Sequence, residues 1–192
     1  GVWVDQLRQL DAQAAGLTAP PMVAPSQGVH LVVDRAFWPT DHALLVPKTQ
    51  DGRVLFAVPW LGKVILGTTD TPRGDLAREP LAFKEEVDFI LRESARYLHR
   101  APRAEDVLSV WVGLRPLVKA PQADDGRTQG LSREHTVLSS QSGLVTVTGG
   151  KWTTYRAMAE DVLQHCQQAH LLADRGPSVT AEMPLVGAMA GT

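Results

Sequence analysis

The sequence predicts an α+β fold in which an antiparallel sheet is flanked by helices. Two observations carry this prediction. Short strand-like runs separated by turn residues occupy much of the chain between residues 27 and 148, and segments of helical periodicity lie before, among and after these runs. The 192 residues are 44% apolar, which is enough for the core of one ordinary domain or of two small ones.

The first half of the chain is predicted to begin with a helix and to continue into strands. Apolar residues recur at helical spacing over residues 3–15, and Gly16 is a suitable end for that helix. Strand-like runs then cover residues 27–35, 43–47, 53–60 and 63–67. Asp51-Gly52 is expected to form a tight hairpin turn, because glycine tolerates the positive φ that such turns need. We therefore expect a meander of antiparallel strands over residues 27–70.

The second half changes period twice. Residues 83–99 place apolar side chains on one helical face and charged ones, including Glu85 and Glu86, on the rest, which is typical of a helix on the surface of a core. Strand-like runs then cover residues 107–118, 134–139 and 144–148, and a final helix is expected after Gly149-Gly150. Residues 171–192 have no strong period and are interpreted as a linker.

The composition excludes several classes of protein. The 19 Lys+Arg and 21 Asp+Glu give a net charge of -2, which argues against a disordered chain and against a nucleic-acid-binding domain. Cys166 is the only cysteine, and with His165 and His170 it provides too few ligands for a metal, so no metal site is expected. No stretch approaches the roughly 20 apolar residues of a membrane-spanning helix.

The most informative segment is L-V-T-V-T-G-G-K-W-T-T-Y-R at residues 144–156. A strand runs into Gly149-Gly150 and then into a predicted helix start that carries Lys151 and Thr153. Unpaired N–H groups and the dipole at a helix start attract an anion, and glycines let it approach the backbone. A tight strand-to-helix turn with a threonine cap is an equally good interpretation.

Cationic side chains occur at the ends of neighbouring strand-like runs. Arg115 lies in V-G-L-R-P-L-V, which looks like a buried strand, and a guanidinium buried without a partner is costly. An anionic ligand would explain it; an ion pair with a core carboxylate, or an exit onto an exposed edge beside Pro116, is the alternative. Arg115, Arg133 and Lys151 could converge on one phosphate or carboxylate.

Two further positions could face a substrate. His30 lies on a strand in G-V-H-L-V-V and could accept a proton near neutral pH, but a core histidine with satisfied hydrogen bonds fits as well. The run I-L-G-T-T-D ends a strand with Thr68, Thr69 and Asp70. It could be a substrate-facing loop, or a turn in which Asp70 bonds its own backbone.

Six motifs occur in order along the chain. They are Gly1-Val2-Trp3, Q-G-V-H-L-V-V at 27–33, F-A-V-P-W-L-G-K-V-I-L-G-T-T-D at 56–70, V-W-V-G-L-R-P-L at 110–117, L-S-R-E-H at 131–135 and T-G-G-K-W-T-T-Y-R at 148–156. Together they resemble the FAD-dependent glycerol-3-phosphate dehydrogenases. Trp152 stands where that family usually has Leu, and the sequence contains no G-x-G-x-x-G, so the turn that holds the FAD pyrophosphate is missing from it.

The resemblance implies that the chain contributes to two domains. It is expected to be α+β, with an antiparallel-sheet substrate-binding (cap) domain, flanking helices and a strand-helix remnant of a Rossmann-type FAD-binding domain. Residues 1–20 would belong to the FAD-binding domain, residues 21–140 to the cap, and residues 141–172 to the strand and helix that return to the FAD-binding domain. Residues 173–192 would be a linker towards a further region.

The resemblance also implies a reaction. The family oxidises sn-glycerol 3-phosphate to dihydroxyacetone phosphate and passes a hydride to FAD and electrons to a quinone. The substrate would be held by Arg115, Arg133, Lys151, Thr68 and Thr69. The catalytic residues would be His30 and Arg115. The contacts to FAD would come from Gly149, Gly150, Lys151 and Thr153.

Other expectations follow from the same resemblance. The chain would be part of a larger cytoplasmic protein that lies peripherally on the cytoplasmic face of the inner membrane. The isolated chain would be inactive, would not retain FAD and would self-associate through apolar residues around Trp3 and Tyr155. The alternatives are the cap of a related flavin-dependent amino-acid or amine oxidase, which binds a carboxylate, and a non-catalytic module that binds an anion or a protein.

Overall fold

Two antiparallel sheets and three helices form the part of the chain that the computed structural model describes, residues 1–119 and 134–188. The helices are α1 (Val4–Ala14), α2 (Lys84–Ser94) and α3 (Tyr155–Gln168). The strands are β1 (Val23–Asp34), β2 (Leu44–Val46), β3 (Leu55–Trp60), β4 (Lys63–Gly67), β5 (Thr71–Pro72), β6 (Ser109–Val118), β7 (His135–Ser139) and β8 (Val145–Gly149). The predicted α+β class is confirmed.

The larger sheet is not the simple meander that the sequence predicted. Strands β2, β3 and β4 follow one another, but β1 pairs with β4 and not with β2. On its other side β1 pairs with β6 along its length, from Val23 to Val32. β1 therefore lies in the middle of the sheet, with Val29, Leu31 and Val33 fully buried on one face and His30 and Val32 half-buried on the other.

Asp51-Gly52 lies in a tight turn, as predicted, within the connection of residues 47–54 between β2 and β3. The N–H of Gly52 donates to the carbonyl oxygen of Thr49, the N–H of Thr49 donates to the carbonyl oxygen of Arg53, and Gly52 has a positive φ of 86°. The tight two-residue turn is Leu61-Gly62 between β3 and β4, where φ is 46° and 74°. Positive φ at both residues suits the twist of a short hairpin.

The core lies between one face of the larger sheet and α2. Alternate residues of β1 and β4, such as Val29, Leu31 and Leu66, pack there against Phe89 and Ile90. The rest of α2 is not uniformly exposed: Glu86 and Glu93 are buried as well. The expectation that Glu86 belongs to a solvated face is therefore wrong, because the sheet covers more of the helix than its apolar stripe.

The second sheet is the hairpin of β7 and β8, and both α1 and α3 contact it. Strand β7 thus pairs with β8 and is not part of the larger sheet, although β6 also contacts β8. The side chains of Trp3, Leu7, Leu10 and Tyr155 are exposed. No helix or strand follows α3 in residues 171–188.

Candidate functional site

The candidate site lies on the sheet face opposite the core. Because side chains alternate along a strand, Gly28 and His30 of β1 lie on this face. Antiparallel pairing places Gly28 opposite Gly113 and His30 opposite Trp111 on β6. Arg115 follows two residues beyond Gly113 and lies on the same face. One stretch of two strands therefore holds an imidazole, an indole and a guanidinium.

Arg115 is held in place by its own chain. Its Nη1 donates a hydrogen bond to the carbonyl oxygen of Thr69 and its Nη2 donates one to Oγ1 of Thr68, each with a distance of 3.0 Å. The guanidinium lies over Gly28, where a Cβ would come within 2.6 Å of Cζ of Arg115. Gly28 is therefore the position that lets Arg115 cross the face of β1.

The expectation that Arg115 lies on a buried strand is wrong. Within the described residues β6 pairs only with β1, so it is an edge strand, and most of its residues are exposed or half-buried. Arg115 is half-buried beside Pro116, as the alternative of an exposed edge had it. Proline is tolerated at an edge because no ladder hydrogen bond is needed on the solvent side.

His30 is packed between rings. Its imidazole stacks on Trp111 with centroids 4.0 Å apart and an angle of 11° between the planes, and Phe56 lies 5.6 Å away. On its other side a Cβ at Gly67 would lie 2.5 Å from Cδ2 of His30. Buried Nδ1 of His30 has no hydrogen-bond partner in the part of the chain that the structure describes. The interpretation as a core histidine with satisfied hydrogen bonds is therefore not supported.

The electrostatics keep His30 neutral. Burial of the ring, and after it the positive charge of Arg115, lowers the pKa of His30 from 6.5 to about 4. A neutral imidazole at physiological pH has a lone pair on one ring nitrogen and can accept a proton. A negative charge bound at Arg115 would oppose this lowering of the pKa.

The Thr68–Thr69 segment joins the site to the core. Oγ1 of Thr69 accepts a hydrogen bond from the backbone N–H of Val29 over 3.0 Å, so it takes the place of a strand carbonyl between β4 and β5. The hydroxyl of Ser26 donates to Asp70. This side-chain contact across strands differs from the expected turn in which Asp70 bonds its own backbone.

The Gly149-Gly150 pair has a structural role within the chain. The two φ angles are 77° and 76°, and a Cβ would lie 2.6 Å from the carbonyl oxygen of Glu134 in the first case and 2.5 Å from Sδ of Met158 in the second. The positive φ at both positions, together with the backbone oxygen beside Gly149, favours glycine, as the interpretation of a tight turn had it.

The helix start after these glycines differs from the prediction. Residues Trp152–Thr154 form a short 3₁₀ turn, and α3 begins only at Tyr155. The hydroxyl of Thr154 donates to the carbonyl of Lys151 over 3.0 Å and makes no hydrogen bond that caps α3. Lys151 and Thr153 are exposed. The expected threonine cap is therefore wrong.

The structure brings some of the predicted site residues together. His30, Arg115, Thr68 and Thr69 form one cluster. The Gly149–Lys151 turn lies at the end of β6, because a Cβ at Gly149 would come within 2.9 Å of the side chain of Val118. Arg133 lies outside the described residues. Within the described ranges no group of three or more His, Cys, Asp or Glu side chains could hold a metal ion.

Sequence reasoning missed two members of the cluster, Gly28 and Trp111. Both lie inside motifs that were recognised, but no role was assigned to either. Strand alternation is the signal that was available, since Trp111 lies four residues before Arg115 and therefore on the same face of β6.

One face of the larger antiparallel sheet is covered by the core, and the other carries the guanidinium of Arg115 and the neutral imidazole of His30. The family model described as "FAD dependent oxidoreductase" matches residues 1–156. The chain belongs to this family, whose description names FAD as the cofactor.

Individual relatives have a common name. The chain is 44% identical over 167 residues to the mitochondrial glycerol-3-phosphate dehydrogenase SDP6 of Arabidopsis thaliana, covering 87% of this chain and 26% of that protein. It is 43% identical to the mitochondrial glycerol-3-phosphate dehydrogenase of Mus musculus, covering 97% of this chain and 25% of that protein. The chain thus spans about a quarter of the length of these curated relatives.

A solved structure matches the fold. The glycerol-3-phosphate dehydrogenase of Bacillus halodurans, solved in complex with FAD, superposes with a TM-score of 0.71 at 34% identity, covering 93% of this chain and 32% of that chain. Of the helices in the described ranges, none combines the length and hydrophobicity required to span a membrane.

The described residues fit one part of FAD. The exposed segment Lys151–Tyr155, in which Trp152 is 87% exposed and stacks on Tyr155, offers aromatic and polar surface to a flat ring system. On the open sheet face the ring of Trp111 is exposed as well. These features suit the isoalloxazine end of the cofactor.

Proposed function

We propose that this chain is the substrate-binding part of a flavoenzyme that oxidises sn-glycerol 3-phosphate to dihydroxyacetone phosphate. The observation that carries the proposal is the guanidinium of Arg115, held over Gly28 on the open sheet face and close enough to His30 to lower the pKa of its imidazole. The names of the relatives support the same substrate. The proposed division is residues 1–20 and 141–172 with the FAD-binding domain, 21–140 as the cap and 173–192 as a linker.

Arg115 is the proposed main ligand of the phosphate. A planar guanidinium can bind two phosphate oxygens at once, and its hydrogen bonds to Thr68 and Thr69 fix its plane before the substrate arrives. Lys151 is exposed at the end of β6 and would add a point charge, and Arg133 would add a second guanidinium. Three positive charges favour a phosphate of charge near -2 over a carboxylate.

His30 is the proposed proton acceptor. Oxidation of the secondary alcohol removes a hydride from C2 and a proton from its hydroxyl, leaving a ketone. The neutral imidazole would take that proton, and the phosphate held at Arg115 would compensate the charge that results. Thr68 would border the reacting hydroxyl. The side chain of Thr69, expected from the sequence to contact the substrate as well, is fully buried and bonded to Glu86, so it would not reach it.

FAD would lie against Gly149, Gly150, Lys151 and Thr153, the turn at the end of β6. When bound, it supplies the acceptor for the hydride and passes the two electrons on to a quinone. We propose that the whole protein meets the quinone as a peripheral protein on the cytoplasmic face of the inner membrane; its relatives are named mitochondrial. Cell fractionation with salt and carbonate washes tests this placement.

The test uses both the whole protein and this chain. In the FAD-loaded whole protein, Arg115→Ala should lower kcat/KM for glycerol 3-phosphate by about a hundredfold, the effect of losing a hydrogen-bonded charge contact, with FAD content unchanged. Unchanged kinetics would remove Arg115 from the site. The purified 192-residue chain should show no flavin absorbance, and a stoichiometric flavin would contradict the partial nature of the site.

The same assay separates the alternatives. Oxidation of glycine or sarcosine in place of glycerol 3-phosphate would assign the chain to an amino-acid or amine oxidase. Binding of phosphate without turnover of any of these substrates by the whole, FAD-loaded protein would indicate a non-catalytic anion-binding module.

A further inference from the structure

A buried carboxylate lies behind the proposed substrate site and is not used by it. Glu86 is on α2, on the core side of the larger sheet, and is only 4% exposed. A charged or polar group in such a place is costly unless it is hydrogen-bonded, so the partners of Glu86 indicate what it does.

Four donors surround the carboxylate. Its Oε2 accepts a hydrogen bond from Nε2 of Gln27 at 2.6 Å and another from the backbone N–H of Phe83 at 2.9 Å. Its Oε1 accepts from the hydroxyls of Thr69 over 3.0 Å and Thr71 over 2.6 Å. Gln27 is itself fixed, because it donates to a backbone carbonyl and accepts from Arg73. The carboxylate therefore ties α2 to β1 and to the segment between β4 and β5.

Thr69 carries this tie through the sheet to the open face. Its hydroxyl donates to Glu86 and accepts from the N–H of Val29, which fixes both the rotamer and the position of the residue on the core side. Its carbonyl oxygen, on the other side, accepts from Nη1 of Arg115. A single residue thus links a buried carboxylate to the guanidinium.

We infer that Glu86 is a positioning residue: through Thr69 it sets the plane of the Arg115 guanidinium for binding the phosphate of the substrate. The inference rests on the proposed function and extends it to a residue that does not touch the substrate. It distinguishes Glu86 from Glu93, the other buried carboxylate of α2, whose side chain accepts a hydrogen bond from Arg96 over 3.4 Å on the same helix.

The main experiment compares Glu86→Gln with the matched control Glu93→Gln in the FAD-loaded whole protein. The amide keeps the volume of Glu86 but turns an N–H₂ group towards two of the four donors, which disturbs the placement of Thr69. We expect KM for glycerol 3-phosphate to rise about tenfold with little change in kcat, whereas Glu93→Gln keeps KM within about twofold.

The coupling between the effects of the Glu86 and Arg115 substitutions on KM distinguishes a positioning role of Glu86 from a merely structural one. In a double-mutant cycle, Glu86→Gln should have almost no further effect on KM once Arg115 is Ala, because the residue then has nothing to orient. Thr69→Val, which removes the hydroxyl, should reproduce the rise in KM and should likewise add almost nothing once Arg115 is Ala. This variant keeps the inference testable if Glu86→Gln does not fold.

The outcomes separate this inference from the proposed function. If Arg115→Ala leaves KM unchanged, the proposed function fails. If Arg115→Ala raises KM but Glu86→Gln does not, or if the two effects simply add, the proposed function stands and the positioning role of Glu86 is overturned. An equal rise in KM for Glu86→Gln and Glu93→Gln overturns it as well.

Discussion

The contact between Gly28 and Arg115 allows the site to be tested with a single methyl group. The Cβ introduced by Gly28→Ala would lie within 2.6 Å of Cζ and Nη1 of Arg115, where ordinary contacts begin near 3.4 Å. The guanidinium must therefore move by about 1 Å. Its hydrogen bonds to Thr68 and Thr69, now 3.0 Å long, would then be too long to count as hydrogen bonds.

The cost falls on substrate binding more than on folding. Gly28 has no positive φ, so alanine fits the backbone and stabilises the chain by about 0.4–1 kcal/mol through the unfolded state. Loss of the preset guanidinium removes an oriented hydrogen bond to a charged group, worth about 1.5–3 kcal/mol. This corresponds to a tenfold to hundredfold lower kcat/KM for glycerol 3-phosphate, at about 1.4 kcal/mol for each factor of ten.

The matched control is Gly113→Ala. Gly113 is the direct partner of Gly28 across the two strands, and a Cβ there would meet no atom within 4 Å. Both variants add one methyl to the same sheet face, but only Gly28→Ala displaces Arg115. The quantity to measure is the ratio of their kcat/KM values in the FAD-loaded whole protein, with thermal unfolding of each variant as the check on folding.

A ratio within twofold would refute the reasoning, because it would show that the position of the guanidinium does not matter for the substrate. A large fall in Tm for Gly28→Ala alone would refute a different step, since the structure predicts that the flexible side chain of Arg115 gives way and the backbone does not.

Two further predictions concern His30 and the exposed surfaces. The pKa of His30 is about 4 in the folded chain and 6.5 in the unfolded chain, so the unfolded chain binds more protons between these values and the stability should fall as pH drops from 6.5 to 4. His30→Gln should flatten this part of the curve of Tm against pH, and an unchanged curve would contradict the lowered pKa. The exposed side chains of Trp3, Leu7 and Leu10 should make the isolated chain self-associate with increasing concentration. The double variant Leu7→Ser/Leu10→Ser should sediment more as a monomer, and a wild-type chain that stays monomeric at high concentration would contradict this prediction.

The sequence determined much of this protein because its signals are local. The spacing of apolar residues located α1 to within one residue at each end and the start of α2, which ends at Ser94 and not at residue 99. The runs of alternating and β-branched residues located most strands. Arg115, His30 and Thr68–Thr69 could be singled out because charged or titratable groups beside apolar runs require an explanation, and the order of the motifs identified the family.

Other features depended on contacts between distant parts of the chain. Local sequence patterns do not reveal which strand neighbours β1. Only the folded sheet shows the pairing with β4, which brings Gly67 beside His30. Burial of Glu86 likewise depends on how far the sheet extends over α2. Its charge predicted a surface position. It can be buried because four hydrogen-bond donors from separate segments converge on its carboxylate, and only the folded structure shows this.

The sequence by itself indicated candidate site residues such as Arg115 and His30, because side-chain charge and hydrogen-bonding capacity are properties of single residues. The tertiary structure decided how they act on one another. It placed Arg115 across Gly28, lowered the pKa of His30 by burying it near that charge, and connected Arg115 to Glu86 of α2 through Thr69. These effects depend on distances of a few ångströms between residues far apart in sequence, and folding alone sets such distances.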